Sequence, residues 1–219
     1  MAKSKNKEPR LWEIIVAAIL SLVVGFLGAV VFLVTLPPEV VSELPAEEDR
    51  EIGKVYYVKG GEGDASHATW EAKEEALKAQ RRGSMTLVEE ELNQWAGVRL
   101  GEEQSPGDDQ PLLHIVPGVP NFHLTDEELF VSVPLEWSLF GFGRTFDGLT
   151  SGTFEETGGR HVLNYDRVYV GSCPLPGFLA NKLVRDVTAS YDVAEEVEEG
   201  WAALQSVEIT EEGLALVIP

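Results

Sequence analysis

The sequence predicts an α+β fold: an antiparallel meander sheet packed on or curved around helices, preceded by one N-terminal transmembrane helix. Three observations predict it. Ile14 to Leu36 is an apolar run of 23 residues with neither a charge nor a proline. Val131, Val133, Leu135, Trp137 and Leu139 alternate with Ser132, Pro134, Glu136 and Ser138, the period of two of a half-buried strand. Leu179, Leu183 and Val187 recur at four-residue spacing, the mark of a helix face.

The apolar run comes first in the chain. As a helix it spans about 34 Å, enough to cross a hydrocarbon core of about 30 Å. A helix in lipid satisfies its own backbone hydrogen bonds, and Pro37 and Pro38 end it. Trp12 stands where an interfacial aromatic belongs. Lys3, Lys5, Lys7 and Arg10 precede the run, and Glu39, Glu43, Glu47, Glu48, Asp49 and Glu51 follow it. The positive-inside rule therefore places residues 1–13 in the cytoplasm, 14–36 in the cytoplasmic (inner) membrane, and the bulk of the chain in a periplasm or extracellular space. A cleaved signal peptide is the rival reading. Its apolar region is about 7–15 residues long and ends in a small-x-small site, which Phe32-Leu33-Val34-Thr35-Leu36-Pro37 does not supply. Ser21, Gly25 and Ala29 lie at four-residue spacing, which suits either a homodimer contact between two such helices or the ordinary small-residue content of membrane spans.

Charge sets the character of the rest. The chain carries a formal net charge of −20, and residues 37–219 hold 35 acids against 13 bases. That excludes electrostatic binding of nucleic acid. It also predicts that this surface does not lie flat on an anionic bilayer. Acidity serves solubility, or else meets a basic protein partner or a divalent cation. The 44% hydrophobic content excludes a disordered chain, and a single Cys excludes an internal disulfide.

Residues 37–53, with Pro37, Pro38, Pro45 and six acids, read as a spacer holding an outer domain, 54–219, off the membrane. Val55 to Val58 reads as a short strand and Gly60, Gly61 and Gly63 as its end. Ser66 to Arg82 reads as a helix stopped by Gly83, with Arg81 and Arg82 favourable to its dipole. Thr86 and Glu89 form a capping box for a second helix carrying Leu92 and Trp95. An acidic loop, 101–111, follows. Leu112 to Val116 and Asn121 to Leu124 read as strands flanking Pro117-Gly118. The alternating strand 131–139 comes next, with Pro134 marking an edge or a bulge. Thr145 to Phe154 and Arg160 to Val170 complete an antiparallel meander across the turn Thr157-Gly158-Gly159. Beyond the 179–187 helix, a stretch from Ser190 places Val193, Val197, Trp201 and Leu204 on one side. Val207 to Thr210 and Leu214 to Ile218 form a hairpin through Glu211-Glu212-Gly213.

Catalytic motifs are scarce. His67, His114, His123 and His161 form no metal motif, although His114 and His123 lie on adjacent candidate strands. Cys173 precedes a helix but has no base at a recognisable spacing, so it reads as a buried structural thiol. Gly148-Leu-Thr-Ser-Gly152 is not a nucleophile elbow. No motif calls for a cofactor. Glu102, Glu103, Asp108 and Asp109 are oxygen donors of the kind Ca²⁺ takes, without the spacing of a calcium loop. A carboxylate pair of the glycosidase type depends on three-dimensional separation. Aromatic residues, in contrast, cluster. Trp137, Phe140, Phe142, Phe146 and Phe154 cluster around the Gly141–Gly143 break, while His161, Leu163, Tyr165 and Tyr169 share one strand face by alternation. They either fill a core or line an apolar groove.

The order of features adds a resemblance. After the anchor come Thr86-x-x-Glu89-Glu90-Glu91-Leu92-Asn93, the meander, Val170-Gly171-Ser172-Cys173-Pro174-Leu175-Pro176 entering a helix, and the final strand Val207-Glu208-Ile209-Thr210. From Met85 to Ile218 this resembles bacterial single-pass envelope proteins of unknown function, whose outer domains are similar to halves of the tubular lipid-binding (BPI-like) fold. The acidic loop and the glutamate-rich late helix depart from that pattern. The resemblance brings no catalytic residues and implies an apolar ligand or a place in an envelope assembly. The expectation is therefore a non-enzymatic, membrane-anchored domain binding a lipid or other apolar ligand through Trp137, Phe140, Phe142, Phe146, Tyr165 and Tyr169. The alternatives are an acidic interaction subunit and a carboxylate-dependent envelope hydrolase.

Overall fold

A computed structural model describes residues 10–61, 67–101, 113–125, 128–139 and 142–219. The acidic loop from 102 onward, Phe140 and Gly141 lie outside the described residues. The fold is α+β. Helix α1 (Leu11–Thr35) is long and apolar enough to cross a membrane, and none of its residues is buried in the protein. Its first turn is fixed by Glu13, whose carboxylate accepts the Arg10 N–H at 2.9 Å.

The chain does not leave α1 as a free spacer. Pro38 is buried, and β1 (Glu39–Val41) pairs in parallel with β2 (Tyr56–Val58). The end of α1 is itself docked: the Ser172 N–H donates to the Leu33 carbonyl at 2.9 Å. Gly171, at φ +57°, leaves only 2.2 Å between the Val34 carbonyl oxygen and the place a Cβ would occupy. A side chain there would collide with α1, so the contact depends on glycine. The end of α1 is thus in direct contact with the rest of the described fold.

Helix α2 is shorter than expected, His67–Lys78. Gln80 takes a positive φ of 47°, and the Arg81 N–H bonds back to the Ala76 carbonyl at 2.9 Å, a Schellman-type ending before the two arginines. Gly83 opens β3 (Gly83–Leu87) and stops no helix. Thr86 lies inside that strand opposite Ala215, so it caps nothing. Helix α3 (Glu89–Arg99) is started by Glu91, which accepts the Val88 N–H at 3.1 Å.

A six-stranded sheet is built from β4 (Leu113–Pro117), β5 (Asn121–Leu124), β6 (Leu129–Leu139), β7 (Phe142–Thr157), β8 (Arg160–Val170) and β9 (Cys173–Pro174). β6, β7 and β8 form the expected meander. β4 and β5 lie end to end along one edge of β6, opposite 135–139 and 129–132. Pro134 marks the gap between them and no sheet edge, and its carbonyl accepts the Gly118 N–H at 2.6 Å. His114 faces Ser138 and His123 faces Phe130, eight residues apart along β6. At about 3.3 Å per residue the two histidines cannot share a metal.

Helices α4 (Gly177–Thr188) and α5 (Glu195–Ala202) follow, and α5 begins five residues later than the Ser190 pattern suggests. The hairpin β10 (Ser206–Thr210) and β11 (Gly213–Ile218) completes a second sheet, ordered β10-β11-β3. Leu77, Leu204, Val207, Leu214, Leu216 and Ile218 form the core between this sheet and α2 and α5.

Candidate apolar cleft

Register assigns each strand residue to a face, because directly opposed residues in an antiparallel pair share one side. Val131 faces Thr150, Val133 faces Gly148, and Leu135 faces Phe146. On the neighbouring strands Phe122 faces Val131, and Val168 faces Thr150. This face lies under α4. Between them is a cleft of about 300 Å³. Its floor is Val131, Val133, Leu135 and Val168, and its roof is Leu183, Val184, Val187 and Thr188 of α4. Leu163 and Phe154 bound one end, and Phe122, Pro120 and Leu100 the other. The lining is nearly all carbon, and the volume sits at the lower end of the range for small-ligand pockets, about 300–1,000 Å³.

Two tyrosines tie the roof to the sheet. Tyr165 donates to Asn181 Oδ1 at 2.7 Å, near the start of α4. Beyond its end, Tyr191 donates to the Gly118 carbonyl at 2.7 Å. Burial pushes the Tyr191 phenol up to about 12, since the phenolate would lose its hydration.

The expected ligand residues are placed differently from one another. Tyr165 is on the cleft side of the sheet but holds α4 and does not line the cavity. Tyr169 is on the opposite face, opposed to Leu149. The reason is a β-bulge: Ser151 pairs with Arg167 and Gly152 with Tyr165, so Asp166 is an extra residue and alternation reverses across it. Trp137 and Phe146 lie on the cleft side, with ring centroids 6.0 Å apart, beyond the cavity wall. Phe142 pairs with Leu139 at the end of β7, and Phe140 lies outside the described residues. Phe122, Val184 and Tyr191 also line the cleft, and no local sequence signal marks them for it. Val131, Val133, Leu135, Leu183 and Val187 are legible in the sequence as apolar faces.

The opposite face of the sheet carries a polar chain of hydrogen bonds beside Leu149. Ser132 Oγ donates to Tyr57 Oη at 2.7 Å, and Tyr57 in turn donates to Asn121 Oδ1. Desolvation raises the Tyr57 phenol above its ordinary value.

The Glu-Leu-Asn segment proves to be a clamp. Glu89 accepts the Leu124 N–H at 2.8 Å and the Gly61 N–H at 2.5 Å, and its Oε2 lies 2.8 Å from His123 Nδ1. Asn93 pairs with Phe122 as a strand would, donating to its carbonyl at 2.9 Å and accepting its N–H at 2.7 Å. The two buried glutamates are each held by bases. Glu91 meets Lys73 Nζ at 2.5 Å, and Glu74 meets Arg99 at 2.7 Å and Lys78 at 3.1 Å. Burial works to raise the Glu74 carboxyl, but the bonds from Arg99 and Lys78 carry it below its ordinary value. Cys173 is buried. Among the described residues no group of three or more His, Cys, Asp or Glu is placed to hold a metal.

No family model, curated protein or solved structure matches this chain.

Proposed function

We propose that this chain is a single-pass membrane protein whose outer domain holds an apolar ligand, such as a lipid acyl chain, between α4 and the six-stranded sheet. One observation carries the reading: a carbon-lined cavity of about 300 Å³ under a helix that tyrosine hydrogen bonds hold at both ends. A void of that size costs stability when nothing fills it. The span of α1 and the basic-to-acidic change of flanking charge support an N-terminus in the cytoplasm and the domain outside. The tubular lipid-binding resemblance points the same way.

The test is photolabelling of the full-length protein in detergent with a diazirine-bearing fatty acid. Labelled peptides should include 129–135 and 183–191, and Val133→Trp, which fills the cleft, should remove about nine-tenths of that label. Label confined to α1, or cleft label unchanged by the substitution, defeats the reading. The acidic-subunit alternative has one specific support, the solvent-facing Glu195, Glu196, Glu198 and Glu199 of α5. Salt-reversible binding to a cationic peptide would favour it.

A further inference from the structure

We infer that the face of the six-stranded sheet turned away from α4 carries a second binding site, which takes a primary ammonium group with an oxygen a few bonds away, the chemistry of ethanolamine. The site stands on its own observations and does not depend on the apolar cleft.

A cavity of about 490 Å³ lies on this face. Ser132 opposes Leu149 and Pro134 opposes Asp147, so Ser132 and Asp147 are diagonal neighbours on one side of the sheet, about 7–8 Å apart. The Ser132 hydroxyl donates to the Tyr57 phenol of β2 at 2.7 Å. Asp147 is near enough for its charge to add to desolvation in raising that phenol. Pro38 and Val40, on the segment that leaves α1, form another wall. Gly97 of α3 also lines the cavity, and a Cβ built there meets nothing within 4 Å.

Its polar groups have bonding capacity left over. The Asn121 amide is oriented by its partners: Oδ1 accepts from the Tyr57 hydroxyl and from the Gly60 N–H at 2.8 Å, and Nδ2 donates to the Gly60 carbonyl at 3.3 Å. An amide nitrogen has two hydrogens, so one remains for a ligand. Tyr57 gives its hydrogen to Asn121 and takes one from Ser132, which leaves its oxygen one further acceptor position. The Asp147 carboxylate is half-buried and has neither an ion pair nor a hydrogen bond among the described residues. Lys59 lines the same cavity without pairing to Asp147. A carboxylate partly withdrawn from water and lacking a counter-charge favours a bound cation.

The kind of cation follows from the donors and acceptors. Ca²⁺ takes about six to eight oxygens, and one carboxylate with two hydroxyls falls short of that. A quaternary ammonium has no N–H to give and is held by aromatic cages, whereas Tyr57 is the one aromatic side chain in this lining. A primary ammonium has three N–H donors, which the Asp147 carboxylate and the Tyr57 oxygen accept. An oxygen two carbons further on accepts from Asn121 Nδ2, and Val40 and Pro134 lie against the carbons between. With 35 acids against 13 bases beyond residue 36, the field of the domain draws small cations in. A free amine and the headgroup of an aminophospholipid both present this group. Pro38 lies just past the end of α1, so the cavity is within reach of a headgroup beside that helix.

The test is calorimetric titration of the full-length protein in a non-ionic detergent and an amine-free buffer at neutral pH. The titrants are ethanolamine, a short-chain phosphatidylethanolamine and the matching phosphatidylcholine. At least one primary amine should bind about tenfold more tightly than the phosphatidylcholine. Asp147→Asn keeps the side-chain shape and the backbone bond from Gly171, and should weaken that binding about tenfold. Gly97→Leu fills the cavity from α3 and should abolish it, while Val133→Trp on the other face should leave it unchanged. Similar affinities for ethanolamine and phosphatidylethanolamine identify a free amine as the ligand, and binding of phosphatidylethanolamine alone identifies the headgroup. Equal affinity for the two phospholipids overturns the site, as does amine binding that survives both Asp147→Asn and Gly97→Leu. No binding of either amine up to about 10 mM also overturns it and leaves the apolar cleft standing. Loss of amine binding in Val133→Trp alone would place the amine in the cleft and refute a second site.

Discussion

Two helix-on-sheet layers in this molecule are built from similar side chains and packed to different degrees. Where α2 and α5 cover the β10-β11-β3 sheet, Leu216 is 0% exposed, and the gap left toward α3 is about 110 Å³, against about 300 Å³ under α4. Gly200 of α5 approaches so closely that a Cβ would stand 2.5 Å from the Leu77 carbonyl oxygen. Phe154 and Trp201 meet at 5.6 Å, and the Trp201 indole donates to the His161 carbonyl at 3.0 Å, joining this layer to β8. Where α4 covers the six-stranded sheet, only Ala180 of the helix is buried, and the space between is a cavity. One layer is drawn close by a glycine and an indole and keeps only the smaller gap. The other is propped open by two tyrosines bonded at its ends. The difference separates the part of the domain that supplies stability from the part that holds space.

That separation is broken most directly by truncating one leucine in each layer. Leu216→Ala should cost about 3 kcal/mol in urea unfolding followed by tryptophan fluorescence, the usual loss for a core leucine. Leu183→Ala should cost about 1 kcal/mol, because one side of Leu183 already faces a void. Equal losses would show that α4 is packed as tightly as α2.

A smaller effect is expected at the ion pairs of the tighter layer. The Glu74 side chain is 5% exposed, with Arg99 lying over the Trp70 ring, 5.4 Å from its centroid. Glu74→Gln should cost about 2 kcal/mol, discounted from the full value of a buried pair because Arg99 is 44% exposed. The folded-state value of Glu74 is depressed, so its contribution is present above the unfolded value and is lost as pH falls through the folded one. Acid titration of unfolding stability should therefore be shallower in Glu74→Gln than in the unsubstituted protein.

The sequence makes these layers legible in unequal measure. Alternation in 131–139 and 160–170 identifies the sheet, and spacing in 179–187 identifies α4, since both patterns record which side of an element is dry. β1 and β3 are three and five residues long and owe their form to partners distant in the chain, Tyr56–Val58 and Leu214–Ile218, so no local pattern announces them. The Thr86-x-x-Glu89 spacing mimics a capping box inside a strand, while Glu91 meets the orphan Val88 N–H of the helix without a hydroxyl partner. The bulge at Asp166 is silent in sequence, yet it decides that Tyr165 and Tyr169 part company. Binary pattern shows that Val133 and Leu183 face inward. It does not show whether their volumes fill the space between them.

The smallest expected effect bears on how the open layer is held. Tyr191 sits at the end of the cleft beyond α4, with its hydroxyl on the Gly118 carbonyl and its value raised from 10.0 to about 12 by burial. A raised value favours the protonated phenol in the fold. Its contribution is full below pH 10 and is lost as pH rises through about 12. Tyr191→Phe should cost about 1 kcal/mol at neutral pH, the net worth of one hydrogen bond. Over the alkaline range the variant should lose less stability than the unsubstituted protein, so the gap between them narrows. If the two curves fall in parallel, water reaches the hydroxyl in the folded state, and that end of the cleft is an open mouth instead of a latch. Tyr165→Phe makes the same comparison at the other end, where the bond to Asn181 is solvent-exposed and the expected loss is below about 0.5 kcal/mol. A latch at Tyr191 and a loose contact at Tyr165 would make the start of α4 the end that lifts when an apolar ligand enters.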